Sequence, residues 1–300
     1  MKFFDKLVEQ WGGRSAMMSA LGRQRMHGRI ANAESLITWD GVGDLLLEHR
    51  LGPPHLRVVE TAGRPVNPAR YMDGKSSPRR KTVPIVDAAR LQSILENGAT
   101  LVIDSVDEML PAITEAAYEL SDLVSEPVQT HIYATCGDAP AFAPHWDVLD
   151  VLAVQVEGTK HWDVYGPGTP SPLDAETDAD NVRPAEPEWS GVLEPGDALY
   201  LPRGWWHGVH GTGGTSLHLS FGFQRRTGMT YVGWLVTLLR HEAAFRDDLP
   251  VAGGGAELQA HEKLLAERLV QLVRDHPLEE YLAEHLKSLT PPVPFRLDPK

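Results

Sequence analysis

Residues Gly196-Asp197-Ala198-Leu199-Tyr200-Leu201-Pro202-Arg203-Gly204-Trp205-Trp206-His207 decide how this chain is read, together with the upstream run Pro144-His145-Trp146-Asp147. The later stretch has the spacing G-x5-P-x-G-x2-H. Its glycine and proline make a tight turn that presents a histidine inward at a strand end. In the earlier run, His-x-Asp on a strand sends both side chains to one face, because side chains alternate with period two. A His-x-Asp pair alone arises often by chance, so the weight falls on the later stretch. His145, Asp147 and His207 together offer two imidazoles and a carboxylate, which occupy one face of an octahedron and leave three positions open. His210 is a rival third ligand, and His207 is preferred because it alone has the motif spacing. The bland alternative is three hydrogen-bonded core residues.

Outward from these runs, the apolar periodicity changes twice. Residues 85–96 (Ile85, Ala88, Leu91, Ile94, Leu95) and 108–124 (Leu110, Ile113, Ala117, Leu120, Leu123, Val124) repeat at helical spacing, with Gly98 as a stop after the first. Residues 129–135, 150–157, 160–165, 197–201 and 216–223 are short, rich in aliphatic and aromatic side chains, and bounded by Gly, Pro and Asp, as strands of a sandwich or barrel are. Helical spacing returns over 229–245, 257–274 and 277–289, with Gly253-Gly254-Gly255 as a loop between two of these helices. The predicted chain is mainly β with helical flanks. It has a catalytic domain at 1–226, with an N-terminal helical flank, and a helical region at 227–300 that packs on the barrel or on a second subunit.

The chain has 300 residues, 41 acidic and 28 basic, for a formal charge of −13. So negative a surface repels phosphate backbones and predicts no direct nucleic-acid binding. It would favour a basic polypeptide, unless it serves solubility alone. Residues 64–84 carry six basic side chains and one acid, and 174–188 carry six acids and one arginine; both read as solvated loops. The second lies near the proposed site and could gate a cationic substrate. No apolar run is long enough to span a membrane, and the first residues lack a signal-peptide pattern. A single cysteine, Cys136, with no cationic neighbour, suits a reducing compartment and not a nucleophile. The expectation is a cytoplasmic protein.

The run from His145 through Val151-Leu152-Ala153-Val154-Gln155-Val156-Glu157-Gly158-Thr159-Lys160-His161-Trp162, the Pro202–His207 turn, which matches the second cupin motif, and Ser216-Leu217-His218-Leu219-Ser220 resemble the JmjC-type (cupin-4) ribosomal oxygenases. The resemblance covers roughly residues 30–290. It implies a double-stranded β-helix (a cupin/JmjC jelly roll) and a C-terminal helical dimerisation region, with no winged-helix domain apparent. It further implies an Fe(II)-dependent enzyme that uses 2-oxoglutarate and dioxygen (O2) to hydroxylate a side chain of a protein or peptide. The metal ligands would be His145, Asp147 and His207. Lys160, at the start of a strand after the Glu157-Gly158-Thr159 turn, would hold the distal carboxylate of 2-oxoglutarate. A lysine in a β core is costly unless it meets an anion; the alternative is an exposed rim position. Tyr133 would add a phenolic hydrogen bond. His131 stands where the family members usually have asparagine, so its contact with the cosubstrate is open. His218 and Ser220 share a strand face and either line the pocket or are core residues. Trp205 or Trp206 could wall a substrate groove, with core packing the default, and Trp146 points away from its flanking ligands.

Three functions compete on these residues. The first is hydroxylation of a ribosomal protein or a precursor peptide. The second is a metal cupin that acts on a small molecule without 2-oxoglutarate, against which Lys160 argues. The third is a non-catalytic, metal-stabilised interaction module. An aromatic cage for methyl-lysine is not assignable. A homodimer is expected from the helical region by resemblance.

Overall fold

The computed structural model describes residues 2–76, 82–173, 182–251 and 254–289. The chain divides into two compact units, Met1–Gln224 and Arg225–Lys300. In the first, α1 (Asp5–Gln10), α2 (Arg14–Ala20), β1 (Met26–Arg29), α3 (Trp39–Glu48), β2 (Leu56–Glu60), β3 (Arg64–Pro65), β4 (Met72–Ser76), β5 (Thr82–Val86), α4 (Ala88–Glu96), β6 (Thr100–Ile103) and α5 (Pro111–Val124) come first. Then follow β7 (Val128–Cys136), β8 (Asp150–Glu157), β9 (Lys160–Pro167), β10 (Trp189–Leu193), β11 (Asp197–Leu201), β12 (Trp205–Gly211) and β13 (Thr215–Phe223).

The strands form an eight-stranded sheet in the order β1-β11-β8-β13-β7-β6-β2-β3, a three-stranded sheet β10-β9-β12, and the hairpin β4-β5, with antiparallel pairing throughout. This is the mainly β, helix-flanked jelly roll expected from the sequence. Alternation sorts each strand. Ile132 and Ala134 of β7 and Leu217, Leu219 and Phe221 of β13 pack into the main core with Leu7, Leu45, Leu91, Ile113 and Leu120 of the helices. The intervening residues of the same strands, Tyr133, Thr135, His218 and Ser220, line a cavity to which Lys160, Trp162 and His207 of the small sheet also contribute. A second, smaller core of Ala153, Trp162, Val164, Leu193, Leu199, Leu201 and Trp205 lies apart from the first. β11 is buried along its whole length, and after Asp197, whose carboxylate meets Arg29 at 2.7 Å, its sequence is apolar.

Several expectations need correction. Residues 85 and 86 end β5, and helix α4 begins only after Asp87, whose carboxylate accepts the Arg90 N–H as an N-cap. The helix expected over 108–124 starts at Pro111, a favoured first helical position, after a 3-10 turn at Val106–Glu108. The basic stretch 64–84 is not a continuous loop. β3, β4 and part of β5 fall within it, while 77–81 lie outside the described residues. Of the acidic run, 174–181 lie outside them too.

The second unit holds α6 (Gly228–Leu239), α7 (Gly255–Asp275) and α8 (Leu278–Ser288). The expected 229–245 helix stops at Leu239 and is followed by a 3-10 turn at Ala243–Phe245. Of the expected loop, Gly254 caps α7 and Gly255 opens it, while residue 253 lies outside the described residues. Tyr231 donates to the His276 carbonyl at 2.7 Å and Trp234 to Glu284 at 3.1 Å, tying α6 to the α7–α8 end.

The turn between β8 and β9 sets where Lys160 starts its strand. Gly158 there has φ +62°, and a Cβ would collide with the Thr215 carbonyl. Gly158→Ala is expected to destabilise the protein by about 2 kcal/mol or more; chemical denaturation checks it, and an unchanged midpoint would contradict this packing.

Candidate metal centre

His145 and Asp147 do not sit on a regular strand, contrary to the period-two reading. His145 instead forms an isolated antiparallel bridge with His207, its N–H donating to the His207 carbonyl at 2.9 Å and the reverse bond measuring 2.8 Å. β12 has a register shift between Trp206 and His207, a bulge that re-aims the side chain at this point. The preceding turn is pinned from both sides. Gly204 N–H donates to the Asp147 carbonyl at 2.8 Å, and Arg203 N–H donates to the buried Asp150 carboxylate at 2.9 Å.

The imidazole tautomers follow from these surroundings. Nδ1 of His145 lies 2.9 Å from the Ala143 carbonyl, and Nδ1 of His207 lies 3.0 Å from that of Trp205. A carbonyl only accepts, so each Nδ1 carries the proton and each Nε2 keeps a free lone pair. Those two Nε2 atoms lie 3.9 and 3.6 Å from the two carboxylate oxygens of Asp147. Ligand atoms from all three residues fall within 4.8 Å of one another. Burial lowers the pKa of His207 and outweighs the opposing pull of Asp147, keeping the ring in its neutral, metal-ligating form. His210, the rival third ligand, is not part of this group. Its ring stacks on His161 at 4.6 Å.

The centre opens on a cavity of about 260 Å³. Lys160 is 5 % exposed, which excludes a rim position. Its Nζ donates to Thr135 Oγ1 at 3.1 Å, and that hydroxyl shares a hydrogen bond of 2.9 Å with Thr100. Among the described residues no carboxylate pairs with Lys160, and burial pushes its pKa down to about 7. Burial pushes Tyr133 up to about 12, aided by the Asp147 charge. His218 is held well below the ordinary histidine value, first by burial and then by Lys160. The Tyr133 and His218 rings stack at 4.9 Å. Nδ1 of His218 and Nε1 of Trp162 are buried without hydrogen-bond partners.

Of the remaining candidates, Ser220 lines the cavity and His131 does not. Nδ1 of His131 lies 3.0 Å from Asp104, a carboxylate that also accepts two hydrogen bonds from Arg57 at 2.9 and 3.0 Å. Burial would raise the Asp104 pKa, but His131 and Arg57 outweigh it and hold it low. Trp205 is core, and the tryptophan that walls the cavity is Trp162, stacked on His207 at 5.8 Å. Sequence reasoning missed Arg57, Thr100 and Phe142, all of which line the cavity. Thr135, two residues after Tyr133 on β7, lines it as well. Burial raises the Cys136 thiol, which fits no nucleophilic role.

Residues 109–231 match the family model described as the JmjC domain. That stretch, from α5 through β13 into α6, is similar to JmjC domains. Rat ribosomal oxygenase 1 (Rattus norvegicus) is 31% identical over 206 residues, which cover 63% of this chain and 33% of that protein. The bifunctional lysine-specific demethylase and histidyl-hydroxylase NO66 of Aedes aegypti is 28% identical over 202 residues, covering 66% of this chain and 31% of that protein. The chain spans about a third of the length of these curated relatives. Among solved structures, Escherichia coli ribosomal oxygenase YcfD superposes with TM-score 0.57 at 19% identity, over 90% of this chain and 67% of that one. YcfD in complex with cobalt and 2-oxoglutarate superposes with TM-score 0.54 at 16% identity, over 89% and 68%. These two structures share its fold.

Removing Asp147 takes away the one anionic ligand. Asp147→Ala is expected to weaken Co(II) binding at this centre by more than the roughly 10–100-fold that an outer-shell partner costs. Titration followed by visible absorbance reads it, and an unchanged affinity would remove Asp147 from the centre.

Proposed function

We propose that this chain is an Fe(II)- and 2-oxoglutarate-dependent oxygenase that hydroxylates a side chain of a polypeptide. The observation that carries the reading is Lys160: a buried ammonium with no carboxylate partner among the described residues, in the same cavity as two imidazoles and a carboxylate. A lone buried cation is costly, and an incoming carboxylate offsets that cost. The unpartnered Trp162 and His218 nitrogens add polar atoms that a bound oxygen-rich ligand can meet. The donor set of the centre, with Nε2 lone pairs facing a carboxylate, fits ferrous iron with positions left for exchange. The names of the rat and mosquito relatives, and the cobalt and 2-oxoglutarate held by the YcfD structure, support the same reading.

Iron with 2-oxoglutarate, when bound, would activate dioxygen, the oxidant, for attack on an unactivated carbon, with 2-oxoglutarate giving up two electrons and the substrate the other two. The chain's own residues do the positioning. His145, Asp147 and His207 hold the metal. Lys160 and the Tyr133 hydroxyl fix the distal carboxylate, so that the oxo-acid end reaches the centre in one orientation. Thr135 orients the lysine ammonium, while Trp162 and Phe142 wall the cavity and help exclude water. Ser220 lies at the same cavity wall.

A basic polypeptide is the substrate class that a formal charge of −13 favours, a ribosomal protein or a precursor peptide. We assign residues 1–226 to the catalytic domain and 227–300 to a homodimerising region. In support, Leu258, Leu269 and Val273 of α7 are each more than 40 % exposed among the described residues, at 48, 43 and 48 %. Among the described residues no helix is long and apolar enough to cross a membrane, in keeping with a cytoplasmic location.

Anaerobic titration of the Fe(II)-loaded protein with 2-oxoglutarate should develop a visible metal-to-ligand charge-transfer band. The band should be lost in His207→Ala, and the affinity should fall by about 100-fold in Lys160→Ala. No band despite bound iron would favour the cupin that acts without 2-oxoglutarate. The titration also has a pH signature. Only the protonated lysine attracts a carboxylate, and burial brings its pKa in the free protein to about 7. Affinity should be full below that pH and fall by about tenfold per unit above it. Lys160→Arg, always charged, should flatten any profile that it retains; a flat profile in the unaltered protein would exclude Lys160 as the anchor.

A further inference from the structure

We propose that His161, Asp163 and His210 form a second divalent-cation site on the outer face of the small sheet, suited to zinc or a similar borderline ion. Along β9, Lys160 and Trp162 face the cavity, so alternation turns His161 and Asp163 the other way. In the β9–β12 register His210 stands opposite His161, and the two rings stack at an interplanar angle of 24°. Although His210 also borders the cavity, its ring is therefore on the side of His161. One ligand atom from each of the three residues lies within 4.8 Å of the others.

The hydrogen bonds leave these ligand atoms as bare acceptors. Nδ1 of His210 lies 2.9 Å from the Gly211 carbonyl, so the proton is on Nδ1 and the Nε2 lone pair is free. The Ser190 hydroxyl donates to Asp163 Oδ1 at 2.7 Å, which commits its only proton. Its oxygen, 3.1 Å from His161 Nε2, then accepts from that ring nitrogen. The proton of His161 is thus on Nε2, and Nδ1 presents a lone pair. That Nδ1 is buried, has no hydrogen-bond partner, and faces Asp163 Oδ2 at 3.8 Å. Two acceptors facing each other with no donor between them are unfavourable, and 3.8 Å is too long for a hydrogen bond in either protonation state. A cation satisfies both.

Two imidazoles and one carboxylate suit zinc, which binds such atoms at about 2.0–2.2 Å and takes water in a fourth position. Ser190 on Asp163 and the Gly211 carbonyl on His210 are the outer partners that hold such ligands in orientation. The same bonds exclude a serine-nucleophile reading, since the hydroxyl proton goes to the carboxylate and not to the imidazole. A cation here would tie β9 to β12 behind Lys160 and His207, which those strands carry.

The test is equilibrium dialysis of tag-free protein against Zn(II) with metal analysis, beside thermal melting. The unaltered protein should retain about two equivalents, and H145A/H207A about one. Adding H161A and H210A to that background should abolish the remaining equivalent and the melting shift that zinc causes. Asp163→Asn on the H145A/H207A background gives a milder check should the fourfold variant not fold, and zinc should then bind at least tenfold more weakly. X-ray absorption of zinc-loaded H145A/H207A should show two imidazole ligands. Retention unaffected by changes at His161, Asp163 and His210, no zinc bound by H145A/H207A, or fewer than two imidazoles would each overturn the proposal.

Discussion

Two backbone hydrogen bonds between His145 and His207 hold together segments that are otherwise far apart in the chain, and the geometry of the candidate metal centre depends on them. A loop residue and a bulged strand residue would otherwise have no reason to keep their rings 4.4 Å apart. The bulge before His207 re-aims the ring, and the Gly204–Asp147 hydrogen bond carries the aspartate with the same turn. Asp150 closes the arrangement by accepting from Arg203 and from the Tyr200 hydroxyl, the latter at 2.7 Å. A completely buried carboxylate is costly on its own; here it receives hydrogen bonds from a backbone amide and a phenol. The rigidity of the centre is thus a property of the turn as much as of the three ligands.

The cavity beside that centre is electrostatically one-sided. Desolvation works against the charged forms of Lys160, Tyr133 and His218 alike, so the wall is biased towards neutral groups until an anion arrives. The fully paired Arg57–Asp104 contact, with His131 beside it, contrasts with the lysine. Arg57 brings its own counter-charge, whereas among the described residues Lys160 has only the Thr135 hydroxyl. This difference, not basicity as such, is why the proposed function takes Lys160 as the anchor for an external carboxylate.

The same sheet physics acts on both faces of β9 and β12. Period-two alternation places Lys160, Trp162 and His207 towards the cavity and His161, Asp163 and His210 away from it. On each side, carbonyl acceptors fix a histidine tautomer and leave a nitrogen lone pair beside a carboxylate. The helical unit follows a different rule. It is held by an aromatic group of Tyr231, Trp234 and Tyr281, and of the residues of α7 only Leu272 is buried.

The sequence by itself determined the class of fold and marked the candidate metal ligands, because both readings rest on local signals. The G-x5-P-x-G-x2-H spacing dictates a turn, and short apolar runs bounded by Gly, Pro and Asp dictate strands. Lys160 was legible for the same reason, since a charge placed among β-core residues calls for an anion. Only the tertiary structure decided which distant side chains share the cavity. Arg57 and Thr100 come from β2 and β6, strands whose brief apolar runs do not stand out beside the helical periodicity around them. His131 has the parity of Tyr133 but meets Asp104 before it can reach the cavity, a contact made after strand β6. His145 and Asp147 converge through a bridge and not through alternation. His210 joined His161 and not His207 because the β9–β12 register, a long-range pairing invisible in local spacing, put it on the other face.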